Sequence, residues 1–177
     1  PYESLKLKAQ IARDKKAPRQ IQYLMESLEA LLPVVRETGV RLALENLPTW
    51  EAIPSELEAE QLMVRFHDSG IRLWWDIGHA QIRENLGFIN AARWLDRLTP
   101  FIAGLHIHDV EPPGRDHLMP PRGKIDFQAL SRYARMDMVR VLEPAPDTAP
   151  DHITGALQCL RQIWSVDDPG QPGGGKT

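Results

Sequence analysis

The sequence predicts an α/β fold in which a parallel sheet is covered by helices. Three observations predict it. Four short, mostly apolar runs alternate with segments of helical periodicity, and such alternation builds parallel βαβ units. The runs are nearly continuous in apolar residues, as strands buried on both faces are. Each run also ends in a metal-competent side chain: Glu45, Asp76, His106 and Glu143, at intervals of 31, 30 and 37 residues. One βα unit takes roughly 30 residues, so these side chains recur once per unit.

The elements follow in order. Tyr2–Lys16 is charged and weakly helical, and Ala17-Pro18 breaks it. Arg19–Thr38 reads as an amphipathic helix, with Ile21, Leu24, Met25, Leu28, Leu31, Leu32 and Val35 on one stripe. Pro33 should kink it or cost it a turn, and Gly39 ends it. Val40–Asn46 is the first strand, stopped by Leu47-Pro48. Ser55 caps a helix through about His67, with Glu58 completing a capping box. Ile71–Asp76 is the second strand. A loop containing Gly78 follows, then a helix around Ile89–Leu98. Phe101–His108 is the third strand, leading into a long Pro- and Gly-rich loop that carries Arg115, Asp116 and His117. Asp126 caps a short helix over Phe127–Arg135, and Met138–Glu143 is the fourth strand. The last helix is Asp151–Trp164, with Ile153, Leu157, Leu160 and Ile163/Trp164 on its buried face. Residues 166–177, ending in GGGKT, lack the strand and helix of a phosphate loop and read as a disordered tail.

Composition bounds the function. The 177 residues fit one domain or a piece of one, and 42% hydrophobic content supports a core. Basic and acidic residues number 21 and 24, interspersed, for a net charge of −3, so the chain lacks the footprint of a nucleic-acid binder. Cys159 is the only cysteine, which excludes an intrachain disulfide and a thiolate zinc site. No apolar run approaches a membrane span of roughly 20 residues. A cytoplasmic setting is the expectation.

In a parallel sheet the C-terminal strand ends share one face, where α/β enzymes place their sites. Alone, a carboxylate at a strand end is a solvated charge or a helix cap, and a lone His is a core histidine. Four in register point to one shared centre. Three carboxylates and one imidazole are a hard, oxygen-rich set that suits Mn²⁺ or Mg²⁺, with Zn²⁺ and Co²⁺ compatible. His108 reads as a partner supporting the ligands, and Trp74 and Trp75 as packing.

The segments ALEN (Ala43–Asn46), WDIGHA (Trp75–Ala80), LHIHD (Leu105–Asp109), H-x₅-GKIDF (His117–Phe127) and VLE (Val141–Glu143) together resemble the xylose isomerase-like TIM-barrel superfamily. Sugar phosphate isomerases and epimerases, ketose 3-epimerases, hydroxypyruvate isomerases and apurinic endonucleases belong to it. The resemblance implies a (β/α)₈ TIM-barrel type of which only about the last four βα units are present, residues 1–165 forming the C-terminal half. It implies one divalent ion held by Glu45, Asp76, His106 and Glu143, and substrate contacts from His79, Arg115 and His117. The implied reaction is isomerisation or epimerisation of a sugar, sugar phosphate or hydroxy-keto acid through an enediolate, with Glu45 and Glu143 as base and acid.

Two rivals stand beside it. An apurinic-site zinc phosphodiesterase would use an Asp-x-His pair, whereas Asp116 and His117 are adjacent. A catalytically inactive barrel fragment would bind metal without turnover. Four βα units cannot close an eight-stranded barrel. The chain opens on Pro1, so a fragment or truncated product is the expectation, completed by a missing N-terminal half-barrel or by self-association. The expected partner is a small sugar, not nucleic acid or membrane.

Overall fold

The computed structural model describes residues 2–134 and 137–165. The elements run α1 (Tyr2–Thr38), β1 (Leu42–Glu45), α2 (Glu56–Arg65), β2 (Ile71–Asp76), α3 (Ile77–Asn85), α4 (Ala91–Leu98), β3 (Ile102–Ile107), β4 (Asp109–Glu111), β5 (Arg115–Leu118), β6 (Val139–Leu142) and α5 (Pro150–Ser165). The α/β reading holds. Strands β1, β2, β3 and β6 form one sheet in that order, parallel throughout. The short β4 and β5 pair antiparallel as a separate ribbon. No helix among the described residues is long and apolar enough to cross a membrane.

The two faces of the sheet differ. Ile71, Leu73, Trp75, Leu105 and Ile107 are buried against the helices, with Leu28, Leu62, Met63, Leu95, Leu98 and Leu160. Register places Glu45 beside Trp74, Trp74 beside Gly104, Asp76 beside His106 and His106 beside Val141. This second face is more open: Val139 and Val141 are 49% and 38% exposed. Trp74 lies across β3 because Gly104 has no side chain; a Cβ there would come within 2.4 Å of the indole.

Several expectations are corrected. The break at Ala17-Pro18 is absent: α1 is one helix of 37 residues with Pro18 and Pro33 inside it. An interior proline costs roughly 3 kcal/mol, and tertiary contacts offset it. Tyr2 Oη donates to Leu86 O at 2.7 Å, Lys6 Nζ to Gly87 O at 2.5 Å, and the buried Arg13 to Trp50 O at 3.1 Å and Glu58 Oε1 at 3.0 Å. Gly39, at φ +68°, ends the helix as predicted. Leu31 is 44% exposed and off the stripe. On α5, Leu157 is exposed and Ala156 takes the buried position. The expected loop at Gly78 is helix α3. The long loop contains the β4–β5 ribbon. The helix expected over Phe127–Arg135 is a turn and a 3₁₀ segment, Ser131–Tyr133, although Asp126 Oδ1 does accept the Ala129 N–H at 3.0 Å. The Ser55/Glu58 capping box is present with both bonds. Arg135 and the tail at 166–177 lie outside the described residues.

Candidate metal centre

The parallel sheet brings the four strand-end residues to one face. Glu45 closes β1, Asp76 closes β2, and His106 is next to last on β3. Glu143 follows β6, its N–H bonded to Ile107 O at 3.1 Å, one step beyond the strand. One ligand atom from each lies within 4.8 Å of the others. They meet at His106 Nδ1, which is 2.8 Å from Glu45 Oε1, 3.3 Å from Glu143 Oε2 and 3.8 Å from Asp76 Oδ2.

This donor set fits a divalent cation. Three carboxylates around one imidazole nitrogen repel one another unless a positive charge is shared among them. Asp76 Oδ2 and Glu143 Oε2 are buried and have no hydrogen-bond partner. Buried polar atoms nearly always have one, and one cation would satisfy both.

The surroundings orient the ligands. Asn46 clamps the backbone of Asp76: its Oδ1 accepts the Asp76 N–H at 2.8 Å, and its Nδ2 donates to Asp76 O at 2.9 Å. The amide thus continues the β1–β2 ladder past its end. Asp76 is fully buried and is the N-cap of α3, its Oδ1 accepting the His79 N–H at 2.7 Å. Burial pushes the Asp76 carboxyl up, but His108 and His79 outweigh it and hold its pKa below the usual carboxylate value.

Three imidazoles lie beside the centre. His79, His108 and His117 also bring ring nitrogens within 4.8 Å of one another. His79 Nδ1 donates to Asn46 O at 2.9 Å, since a carbonyl only accepts; Nε2 then carries the lone pair. His108 is fully buried, with Nδ1 accepting the His117 N–H at 3.0 Å and Nε2 3.1 Å from Asp76 Oδ1. Burial opposes protonation of His108 and Asp76 outweighs it, so its pKa lies above the usual imidazole value. In the neutral ring, the His117 N–H aimed at Nδ1 places the proton on Nε2. His117 thus engages Nδ1, whereas Nε2 lies against Asp76 Oδ1 without an aligned hydrogen bond. His117 stacks on His108 at 4.3 Å, and its Nε2 is 3.8 Å from Glu143 Oε1. Arg115 stands apart: it is exposed on β5 and pairs with Glu111 at 3.3 Å.

Two contributors carry no role in the sequence reading. Asn46 is one; its signal is an amide directly after the ligand glutamate at a strand end. Asp109 is the other. Buried at 1% exposure, it accepts the N–H groups of Val110 (2.8 Å), Ile125 (3.0 Å) and Gly123 (2.7 Å), and so anchors the loop over the site. Its signal is the acidic residue after His108, followed by a Gly-containing loop that returns to it.

The fold matches known structures. A crystal structure of 3-keto-D-glucoside 4-epimerase, YcjR, from E. coli superposes with TM-score 0.64 at 22% identity, over 80% of this chain and 53% of that one. D-Psicose 3-epimerase from Clostridium cellulolyticum H10, solved with D-tagatose, gives TM-score 0.61 at 15% identity, over 78% of this chain and 54% of that one. In sequence, the uncharacterized protein MJ1614 of Methanocaldococcus jannaschii is 24% identical over 127 residues, 71% of this chain and 47% of its own length. The chain thus spans about half the length of each. The family described as xylose isomerase-like TIM barrel matches residues 7–162, nearly the whole described chain. With the parallel sheet and its strand-end cluster, that match means that the chain belongs to the xylose isomerase-like TIM-barrel family.

Proposed function

We propose that this chain carries the metal- and substrate-binding half of a divalent-metal-dependent sugar isomerase or epimerase, acting by proton transfer next to a carbonyl. The observation that carries the proposal is the convergence of Glu45, Asp76 and Glu143 on His106 Nδ1, with two carboxylate oxygens buried and unpartnered. The sugar epimerases among the structural neighbours support the substrate class.

Glu45, Asp76, His106 and Glu143 would hold the ion, Mn²⁺ or Mg²⁺ by the hardness of the set. When bound, such an ion would supply positive charge beside the substrate carbonyl, which favours proton loss from the neighbouring carbon. The chain's own residues divide the remaining work. Asp76 is fully buried, whereas the side chains of Glu45 and Glu143 are 33% and 36% exposed, so only the glutamates are open to a substrate. Glu143 turns Oε2 to the cluster and Oε1 toward His117, leaving Oε1 to move a proton. The second oxygen of Glu45 has the same task from the other side. His79 Nε2 accepts from a substrate hydroxyl, and His117 positions the substrate beside Glu143. Arg115 reaches the substrate only by leaving Glu111. The multi-zinc nuclease reading finds less support, since Asp116 and His117 are adjacent and not spaced as an Asp-x-His pair.

The test is solvent-deuterium incorporation into a ketohexose by the Mn²⁺-loaded chain. The proposal predicts exchange in the wild type and loss of at least about 100-fold in Glu143→Gln, the scale of general acid–base catalysis, with metal retained. Undiminished exchange in that variant would sink it. Metal retention without any wild-type exchange would favour the inactive-fragment reading.

A further inference from the structure

We infer that His108 is a positioning residue that ties the metal-ligating Asp76 to the substrate loop at His117, so that one buried ring sets both. The inference rests on the proposed metal centre. The ring makes two different contacts from its two nitrogens. Nε2 lies 3.1 Å from Asp76 Oδ1, the oxygen turned away from the cluster, while Oδ2 faces His106. Nδ1 takes the backbone N–H of His117 at 3.0 Å. A backbone N–H only donates, so Nδ1 is unprotonated and the proton is on Nε2, which lies 3.1 Å from the carboxylate without an aligned hydrogen bond. With the His79 N–H bonded to that outer oxygen and the His108 ring packed beside it, the carboxylate keeps one orientation for the metal.

The loop end is equally determined. His117 is the non-glycine residue with positive φ among those described, at +53°. A side-chain-bearing residue enters that region at a cost, and it persists where the surroundings hold it. Here the hold is the N–H bond to His108 and the near-parallel stack of the two rings, 4.3 Å apart at 5°. Gly78 makes room: a Cβ there would fall 1.9 Å from His108 Cε1. The glycine of the Asp-x-Gly-His segment thus serves the ring of His108, and His79 on the same turn meets that ring edge-on at 5.6 Å.

The two amide side chains separate the two contacts. Asn offers an oxygen where Nδ1 lies, and Gln offers an N–H where Nε2 lies. The experiment measures Mn²⁺ affinity by calorimetry and His117 amide exchange by NMR in the wild type, His108→Gln, His108→Asn and His108→Phe. Gln should keep Mn²⁺ affinity within about threefold but lose His117 protection, and Asn should keep protection but lose Mn²⁺ affinity about 10–100-fold. Phe should lose both. A merely structural ring would show no such split, and equal behaviour of Gln and Asn overturns the inference even if Phe fails to fold. Wild-type chain that binds no Mn²⁺ overturns the four-residue centre itself, and with it the Asp76 arm. Loss of His117 protection in Gln but not in Asn would then still support the loop arm.

Discussion

Asp76 divides its two oxygens: Oδ1 caps α3 and faces His108, while Oδ2 is buried beside His106 without a partner. That division makes Asp76→Asn a clean probe, because Asn is as good an N-cap as Asp. We expect α3 to persist in the variant, with Mn²⁺ affinity down by at least about 100-fold, more than loss of an outer contact produces; circular dichroism and calorimetry check both. Asn46 makes the complementary case. Its two bonds to the Asp76 backbone are part-buried, and Asn46→Ala leaves a donor and an acceptor unmet. That should cost about 1–3 kcal/mol in urea denaturation. The convergence of the four strand-end residues was legible in the sequence because strand ends recur at the βα period. The roles of Asn46 and Asp109 were not, since a residue that bonds only to backbone leaves no periodic trace.

At the scale of elements, polar contacts joining helices to loops decide what local propensity does not. The Arg13–Glu58 pair holds α1 to α2. Burial pushes the Glu58 carboxyl up, but bonds from Arg13 and Ser55 outweigh it and keep its pKa below the usual glutamate value. A depressed folded pKa gives stability that is present above the unfolded pKa of about 4.3. It is lost as pH falls through the lower folded value. Glu58→Gln should therefore cost about 1.5–3 kcal/mol at pH 7 and flatten the acid limb of the stability curve; thermal denaturation from pH 3 to 7 reads both. The same contacts explain the misplaced break at Pro18, because a proline signal is local and Arg13's partners lie 37 to 45 residues away. Gly78 misled in the other direction. It reads as a loop residue, yet it is helical and small for the sake of His108. Gly104 is small for Trp74, and Gly104→Ala should cost about 1–3 kcal/mol by overpacking, seen as a lower urea midpoint.

At the scale of the whole molecule, β1 and β6 are the sheet's unpaired edges among the described residues, and the face carrying the four-residue cluster is open where Val139 and Val141 stand exposed. Unpaired parallel edges recruit further strands. We propose that residues 1–165 act as the C-terminal half of a closed barrel, with further βα units beside β1 and β6. The isolated chain should then self-associate, giving a mass above 20.1 kDa in light scattering at micromolar concentration; a strict monomer would argue that the edges are covered by the chain itself. The four residues of the proposed centre all lie in this chain. The most direct measurement is an anomalous difference map from a crystal grown with Mn²⁺. The account predicts one peak per chain, about 2 Å from His106 Nδ1, Glu45 Oε1, Asp76 Oδ2 and Glu143 Oε2, the distance a small divalent ion takes. A map without that peak, or with its peak among His79, His108 and His117 instead, would contradict it.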